Sequence, residues 1–225
     1  MITSAIIPAA GSGLRFGEKK QFKKINGKPL IYHTLRPFIS SKMIDEVIVA
    51  ASNDDINNIN SVIKTIQTTK PLLAIEGSLT RQDSIRNALK AVNKQSQCIC
   101  IHDAVRPFIK KELIEKIISS LNNYDGVVVG SKATDTLKEV SSNKIKNTLN
   151  RERIWSIQTP QVFYKDALLQ AYSNAEKENL FATDDSALLE KAGYKVKIIN
   201  DTSINFKITT REDWIMAEAL FNHLK

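Results

Sequence analysis

The sequence predicts an α/β fold, Rossmann-like, with a mostly parallel twisted sheet, helices on both faces of that sheet and a protruding β-arm. Short runs rich in Ile and Val recur along the 225 residues, and segments with helical periodicity separate several of them. Apolar strands that alternate with helices are typical of parallel sheets buried on both faces. Ligands of such sheets bind beyond the carboxyl ends of the strands, so the residues that follow each strand are the first candidates for chemistry.

The predicted elements follow one another in an order that suits one sheet. Strands are expected at residues 5–8, 46–51, 72–75, 98–102, 127–129 and 195–200. Helices are expected at residues 30–39, 56–66, 84–92, 113–121, 166–177, 186–191 and 212–224. No internal repeat or change in composition divides the chain, so a single domain over residues 1–225 is the prediction.

The segment 138–153 interrupts this alternation of strands and helices. It contains few apolar residues, and a turn-like Ser-Ser-Asn-Lys stands at 141–144, which is typical of a hairpin that leaves the compact body. A mobile surface loop and a swapped arm that completes the site of a neighbouring subunit both agree with this composition.

The composition restricts the partners of the protein. A net charge of +8 suits anionic ligands such as nucleotides and sugar phosphates, whereas the absence of a long basic block argues against nucleic acid. No signal peptide or apolar membrane span is evident. Cys98 and Cys100 are too few for a disulfide framework or a zinc site. We expect a cytoplasmic protein without a membrane or nucleic-acid partner.

The glycine-containing loop after the first strand indicates a phosphate ligand, and two familiar loop types fit it poorly. A dinucleotide-binding loop requires a third glycine where this chain has Phe16, and a P-loop requires a Lys-Ser or Lys-Thr pair that is missing after Gly17. An NAD(P)-binding oxidoreductase therefore stays a remote alternative. A basic nucleic-acid module is another.

The remaining interpretation is a loop for nucleotidyl transfer. The small residues of Pro8–Gly13 allow the main chain to approach a ligand, and N–H groups in a glycine turn form an anion-binding concavity. Arg15, Lys19 and Lys20 follow at once, and Arg15 and Lys20 can neutralise charge that develops on a phosphate during transfer.

Two later stretches supply further candidates. Thr80 is positioned to cap a helix together with Asp83, three residues further on. Asp103 follows a buried apolar strand where the ligand crevice should open, and an acid there suits a divalent cation or a ribose hydroxyl. Thr183 and Asp184 precede a helix, and capping explains them adequately.

The motifs together resemble those of the sugar-nucleotide-type nucleotidyltransferases, and among these the 2-C-methyl-D-erythritol 4-phosphate cytidylyltransferase family. The stretches that carry the resemblance are Pro8-Ala-Ala-Gly-x-Gly-x-Arg15, Lys20-Gln-Phe22, Gly27-Lys-Pro-Leu30, Gly77 to Ser84, His102 to Pro107, Asp135 to Lys138, Arg151, Thr159-Pro-Gln161, Thr183-Asp184 and Lys207-Ile-Thr209.

The resemblance implies an activity: transfer of the cytidylyl group of CTP to 2-C-methyl-D-erythritol 4-phosphate, with release of pyrophosphate, for non-mevalonate isoprenoid synthesis. A ribitol-5-phosphate cytidylyltransferase is the nearest alternative. Mg²⁺ is the implied cofactor, CTP and a polyol phosphate are the implied ligands, and a homodimer whose arm at about 138–153 crosses to the partner is the implied assembly.

The resemblance also implies roles for individual residues. Catalytic roles fall to Arg15, Lys20 and Lys207. Nucleotide binding falls to Pro8, Ala9, Ala10, Gly11, Gly13, Gly77, Arg81, Ser84, Asp103 and Ala104, with Asp103 also the metal ligand. Binding of the acceptor substrate falls to Arg106, Thr136, Arg151 and Thr159.

Overall fold

The structure is a computed structural model, and it describes residues 1–11, 13, 16–201 and 203–223. Its strands are β1 (Thr3–Pro8), β2 (Lys24–Ile25), β3 (Lys28–Pro29), β4 (Glu46–Ala51), β5 (Leu72–Glu76), β6 (Cys98–Ile101), β7 (Gly126–Lys132), β8 (Lys138–Ser141), β9 (Lys144–Thr148), β10 (Trp155–Tyr164) and β11 (Val196–Asn200). Its helices are α1 (Leu30–Ser40), α2 (Ile56–Ile63), α3 (Arg81–Ala91), α4 (Lys111–Ser119), α5 (Lys165–Lys177), α6 (Asp185–Lys191) and α7 (Arg211–His223).

The main sheet has the strand order β11-β7-β10-β6-β1-β4-β5. Every pairing in it is parallel except the two that β10 makes with β6 and β7. The mostly parallel sheet is therefore confirmed. The carboxyl ends of β1, β4, β5 and β6 lie along the same edge, because these strands are parallel neighbours in one half of the sheet.

Strand β10 is the strand of the main sheet that the sequence analysis missed, and the short pair β2 and β3 was not predicted either. Pro160 lies in the middle of β10, and proline normally argues against a central strand because it cannot donate a ladder hydrogen bond. Here the pairing register with β7 shifts between Gln158 and Gln161, so the proline falls within an irregularity of the ladder. That irregularity allows the strand to continue.

Helices cover both faces of the sheet, as predicted. Alternation along the strands sends Cys98 and Cys100 to one face and Ile99 and Ile101 to the other. The first face packs against α1, α2 and α4, and the second packs against α3, α5 and α6. A smaller apolar cluster contains Phe16 from the opening loop and Trp214 from α7.

The arm is a two-stranded hairpin of β8 and β9, separate from the main sheet. Its turn residues Ser142 and Asn143 have φ of 49° and 61°, the left-handed values that tight hairpin turns require. Both strands are exposed along their whole length, and the apolar side chains of Val140 and Ile145 are paired across the ladder. The predicted hairpin is thus confirmed.

Among the helices in the described part of the chain, none has the length and apolar character needed to cross a bilayer.

Candidate active site

A cavity of about 400 Å³ lies at the carboxyl edge of the parallel strands. Its wall combines the loop after β1, the loop between β5 and α3, and the residues after β6. The residues that line it are Pro8, Ala9, Ala10, Gly11, Gly13, Lys20, Gln21, Ser78, Leu79, Thr80, Arg81, Ser84, Asp103, Ala104, Val105 and Lys207. This position agrees with the expectation that ligands bind where parallel strands end.

The opening loop depends on Gly13. This residue has φ of +73°, and a Cβ added there would lie 2.1 Å from the main-chain oxygen of Glu18. The Gly13 carbonyl accepts hydrogen bonds from the N–H groups of Phe16 at 2.8 Å and Gly17 at 3.0 Å. A side chain at position 13 would therefore strain the backbone and collide with it.

The buried side chain of Gln21 fastens the first half of the same loop. Its amide donates to the carbonyls of Ala9 at 3.3 Å and Gly11 at 3.4 Å. Gly11 itself has open space where a Cβ would stand, so the main chain there faces the cavity without a side chain. The loop is therefore held from one side and accessible from the other.

Phe16 explains why this loop departs from a dinucleotide-binding loop. Its ring is buried and meets the Trp214 ring edge to face, with centroids 5.8 Å apart. The side chain at the position of the third glycine is thus an anchor in the apolar cluster beneath the loop. A glycine there would remove that anchor.

The cations that follow the glycines have different surroundings. Lys20 lines the cavity, and its ammonium lies 5.5 Å from the centroid of the Phe16 ring. Lys19 instead donates to Asp55 at 2.9 Å, an ion pair with a buried carboxylate. Arg15 lies outside the described residues.

The opposite wall is built around the start of α3. Thr80 caps the helix by accepting the Asp83 N–H at 3.0 Å, as predicted. The buried Ser84 hydroxyl accepts the Ser78 N–H at 2.9 Å and donates to the Thr80 carbonyl at 2.8 Å. A Cβ on Gly77 would lie 2.9 Å from that hydroxyl oxygen, so the glycine permits this close packing.

Asp103 is the electrostatic centre of the site. Its Oδ1 accepts from Arg81 Nε at 3.1 Å, and its Oδ2 accepts from Lys207 Nζ at 3.0 Å and lies 3.6 Å from Arg106 Nε. Burial alone would raise the pKa of Asp103, but the charges of Arg81, Lys207 and Arg106 outweigh burial and hold this pKa well below its ordinary value. The carboxylate stays ionised.

Two of these cations have anchors behind them. Arg81 Nη2 lies 2.9 Å from Asp185 Oδ2, and Arg106 Nη1 donates to the Asn205 carbonyl at 2.7 Å. The Asn205 amide in turn donates to the Thr159 carbonyl at 2.9 Å. These contacts lie beneath the cavity and fix the guanidinium groups in place.

Comparison with known proteins identifies one enzyme family. The family model described as IspD, 2-C-methyl-D-erythritol 4-phosphate cytidylyltransferase, matches residues 3–223. The protein of that name from Clostridium acetobutylicum is 38% identical over 96% of this chain and 96% of its own length. The one from Syntrophus aciditrophicus is 37% identical over 96% of this chain and 94% of its own length. The crystal structure of 4-diphosphocytidyl-2C-methyl-D-erythritol synthase from Anaerococcus prevotii superposes with a TM-score of 0.88 at 35% identity, covering 98% of each chain.

The chain belongs to the 2-C-methyl-D-erythritol 4-phosphate cytidylyltransferase family. The resemblance drawn from the motifs is therefore confirmed, and so is the Rossmann-like fold. The remote alternatives, a nicotinamide-dependent oxidoreductase and a nucleic-acid-binding module, are not supported by these matches.

Most of the residues predicted for the nucleotide lie together in the cavity wall. Of the rest, Gly77 packs directly behind that wall. Arg106 and Thr159 are buried beneath it, where the Thr159 hydroxyl accepts the Asp103 N–H at 3.0 Å. Their predicted contact with the acceptor stays a prediction.

Two other predicted acceptor residues are far more exposed. Thr136 and Arg151 lie next to the hairpin and do not contribute to the described wall of the cavity. The Arg151 guanidinium donates to the Thr134 carbonyl at 2.7 Å. Within one chain, therefore, the described residues do not bring these two side chains into the cavity.

Sequence reasoning missed three supporting residues, Gln21, Asp185 and Asn205. Gln21 was visible only as part of a family motif, and nothing local marks Asn205 as a cross-link. Asp185 stands next to Asp184, which caps α6 by accepting the Ala187 N–H as predicted. A pair of acids before a helix indicates capping, so the different role of the second acid gave no separate signal.

His102 gives this site a pH-dependent stability. It is fully buried, with Nε2 3.1 Å from the Arg106 carbonyl and Nδ1 3.1 Å from the Thr159 hydroxyl. Thr159 Oγ1 already accepts the Asp103 N–H, so its own proton points to Nδ1, and the neutral Nε2–H tautomer satisfies the arrangement. Burial lowers the pKa of His102 to about 4.

We predict that His102→Gln makes the free energy of unfolding less dependent on pH between pH 7 and pH 5. A histidine that titrates near 6.5 when unfolded and near 4 when folded stabilises above the unfolded value and loses that contribution as the pH falls. The wild type should lose about 2 kcal/mol more than the variant over this interval. Urea unfolding at both pH values measures this difference. His223→Gln, at an exposed position, should follow the wild type; equal losses in wild type and His102→Gln would contradict the prediction.

Proposed function

We propose that this protein transfers the cytidylyl group of CTP to 2-C-methyl-D-erythritol 4-phosphate and releases pyrophosphate, in the non-mevalonate route to isoprenoid precursors. Family membership supports the activity. The observation that carries it is the cavity at the carboxyl edge of the sheet, which Lys20, Arg81 and Lys207 line together with a glycine loop. Such a site suits two polyanionic reactants.

The reaction needs positioning and charge stabilisation more than proton transfer. An oxygen of the acceptor phosphate attacks the α-phosphorus of CTP, and the bond from that phosphorus to the bridging oxygen of pyrophosphate breaks. The attacking oxygen is already anionic at neutral pH, so no general base is required. The task of the enzyme is to hold two negatively charged groups in line and to offset their repulsion.

The nucleotide side of the site is the wall formed by the opening loop and the start of α3. The main chain of Pro8–Gly11 and the region of Ser84 would hold the cytosine, with Lys20 and the neighbouring Arg15 at the triphosphate. Support comes from the way Gln21 fixes the Ala9 and Gly11 carbonyls, because a loop held before binding loses little entropy when the nucleotide enters.

Lys207 is the cation we assign to the acceptor phosphate. Its side chain is 38% exposed, the largest exposed fraction of the three cations around Asp103. A single hydrogen bond ties its ammonium to Asp103. A phosphate dianion that enters the cavity can therefore compete for Lys207 more easily than for the more buried guanidinium groups.

We propose Mg²⁺ as the cofactor. The residues of the site could hold it only as an ion that arrives bound to the nucleotide. Asp103 is the carboxylate in the described wall, and no cluster of three metal-ligating side chains occurs in the described residues. One carboxylate together with phosphate oxygens and water is a usual set for Mg²⁺. When bound, the ion would neutralise charge on the triphosphate, with Asp103 as its protein ligand.

We also propose that the protein works as a homodimer, with the arm completing the site of the partner. The arm is fully exposed and carries Val140 and Ile145 side by side on its ladder. Arg151 and Thr136 lie next to it, and Arg151 would present its planar fork to the acceptor phosphate across the interface.

We further propose a cytoplasmic location, which the free thiols of Cys98 and Cys100 support.

Pyrophosphate release from CTP tests the activity directly. We expect rapid release with 2-C-methyl-D-erythritol 4-phosphate, little with ribitol 5-phosphate, and loss of release when EDTA removes divalent cations. The methylerythritol product is checked by mass spectrometry. Preference for ribitol 5-phosphate would instead favour the alternative acceptor.

We predict that Lys20→Ala lowers turnover by roughly 10²–10³-fold while the Kd for CTP changes little. A positive charge aimed at developing charge in the transition state contributes far more there than in the ground state. Single-turnover rates and calorimetric CTP binding separate the two effects. Lys24→Ala, an exposed lysine on β2, is the matched control and should behave as the wild type. Unchanged turnover of Lys20→Ala would reject this role.

The proposed sharing of sites between subunits predicts complementation. Arg151→Ala and Lys207→Ala should each be nearly inactive, but a hybrid dimer contains one site with both residues intact. Random mixing of the two variants after subunit exchange should therefore restore about a quarter of wild-type activity, because half of the dimers are hybrids with one good site. Activity that stays at the level of the separate variants would show that Arg151 does not act across an interface.

A further inference from the structure

Behind Arg81 lie two buried side chains to which the proposed function assigns no role. Asp185 Oδ2 is 2.9 Å from Arg81 Nη2, and Asp185 Oδ1 accepts the Tyr172 hydroxyl at 2.6 Å. The residues come from three elements, since Arg81 begins α3, Asp185 begins α6 and Tyr172 lies in α5. They form a chain from the helix layer to the cavity wall, which ends at Asp103.

Arg81 is the most exposed side chain in this chain of contacts. The side chain of Asp185 is 2% exposed, whereas that of Arg81 is 28% exposed and lines the cavity. The guanidinium therefore meets Asp185 on its buried side through Nη2 and Asp103 through Nε. The guanidinium thus lies between two carboxylates, and these two ion pairs favour its present orientation.

The charge of Asp185 is not required to begin α6. Asp184 provides the cap, and its carboxylate also accepts from Gln161 Nε2 at 2.7 Å and Ser186 Oγ at 2.6 Å. In the described structure the side-chain oxygens of Asp185 meet Arg81 and Tyr172. A buried carboxylate is costly unless it is paired, and in this site Arg81 is the cation that pairs with Asp185.

Tyr172 completes the pairing. Burial, together with the adjacent Asp185, raises the pKa of Tyr172 well above its ordinary value, so the phenol keeps its proton and remains a donor. Its hydrogen bond satisfies the Asp185 oxygen that does not face Arg81. Asp185 is thereby held with Oδ2 toward the guanidinium.

We propose that Asp185, supported by Tyr172, is a positioning residue that holds the Arg81 guanidinium in the orientation required to bind CTP. This proposal rests on the proposed function, because it takes the nucleotide to be CTP. The effect of Asp185 on the nucleotide passes through Arg81.

The inference predicts a defect in nucleotide binding that depends on Arg81. Asp185→Asn keeps the size of the side chain but removes its charge, and we expect CTP to bind about tenfold more weakly. Tyr172→Phe removes only the donor, and we expect a loss of about threefold. Turnover at saturating CTP and the KM for the acceptor should stay within about threefold of the wild type.

Asp184→Asn is the matched control, because it alters the neighbouring carboxylate, which has no described contact with Arg81. It should lower thermal stability through the weaker cap and leave the Kd for CTP unchanged. A double-mutant cycle gives the sharper test: in an Arg81→Ala background, Asp185→Asn should cause no further loss of CTP affinity. Calorimetric titration of CTP without acceptor measures every arm, and thermal unfolding checks that each variant is folded.

Three results would overturn the inference: unchanged CTP affinity in Asp185→Asn, an equal loss in Asp184→Asn, or losses that simply add in the double mutant. If Asp185→Asn does not fold, Tyr172→Phe alone and in the Arg81→Ala background decides the matter in the same way. If the wild type does not bind CTP, the proposed function is refuted. If the wild type binds CTP and Asp185→Asn binds it equally well, only the inference about Asp185 is refuted.

Discussion

The ion pairs of Asp103 are the interaction on which the rest of the site depends. One buried carboxylate meets Arg81, Lys207 and Arg106, which come from three separate stretches of the chain. Without this carboxylate the three cations would repel one another at short range in a medium that screens charge poorly. Asp103 therefore allows the protein to concentrate positive charge at the edge of the sheet before any substrate is present.

The position of Asp103 follows from the strand before it. The residues of β6 are wholly buried, and the chain turns at the carboxyl edge immediately after it. There the Asp103 N–H donates to the Thr159 hydroxyl, which His102 also contacts from the core side. The charged site is thus supported by an uncharged hydrogen-bond network, and its geometry is fixed by core packing as well as by charge.

Local signals explain which parts of this arrangement were predictable from sequence. The opening loop, the cap at Thr80 and the acid after β6 are each defined by neighbouring residues. Thr80 caps α3 as predicted, and Asp103 and the described part of the loop line the cavity. Strand β10 was missed because Pro160 contradicts a central strand unless the ladder is irregular there, and that irregularity is tertiary. The ion pair between Arg81 and Asp185 could not be predicted for a similar reason, because the two residues are 104 positions apart in the sequence. An acid at the start of α6 was also already accounted for by the Asp184 cap.

A carboxylate at the centre of a site for two polyanions looks unfavourable until the three cations are compared. Arg81 has a second carboxylate behind it, and Arg106 is buried and donates one hydrogen bond from Nη1 to the Asn205 carbonyl. Lys207 is the most exposed of the three and ends in a flexible ammonium. An entering phosphate would therefore draw on Lys207 first, while the two guanidinium groups keep Asp103 neutralised. If Lys207 binds the acceptor phosphate as proposed, Asp103 would hold the Lys207 ammonium at the cavity until that phosphate displaces the carboxylate.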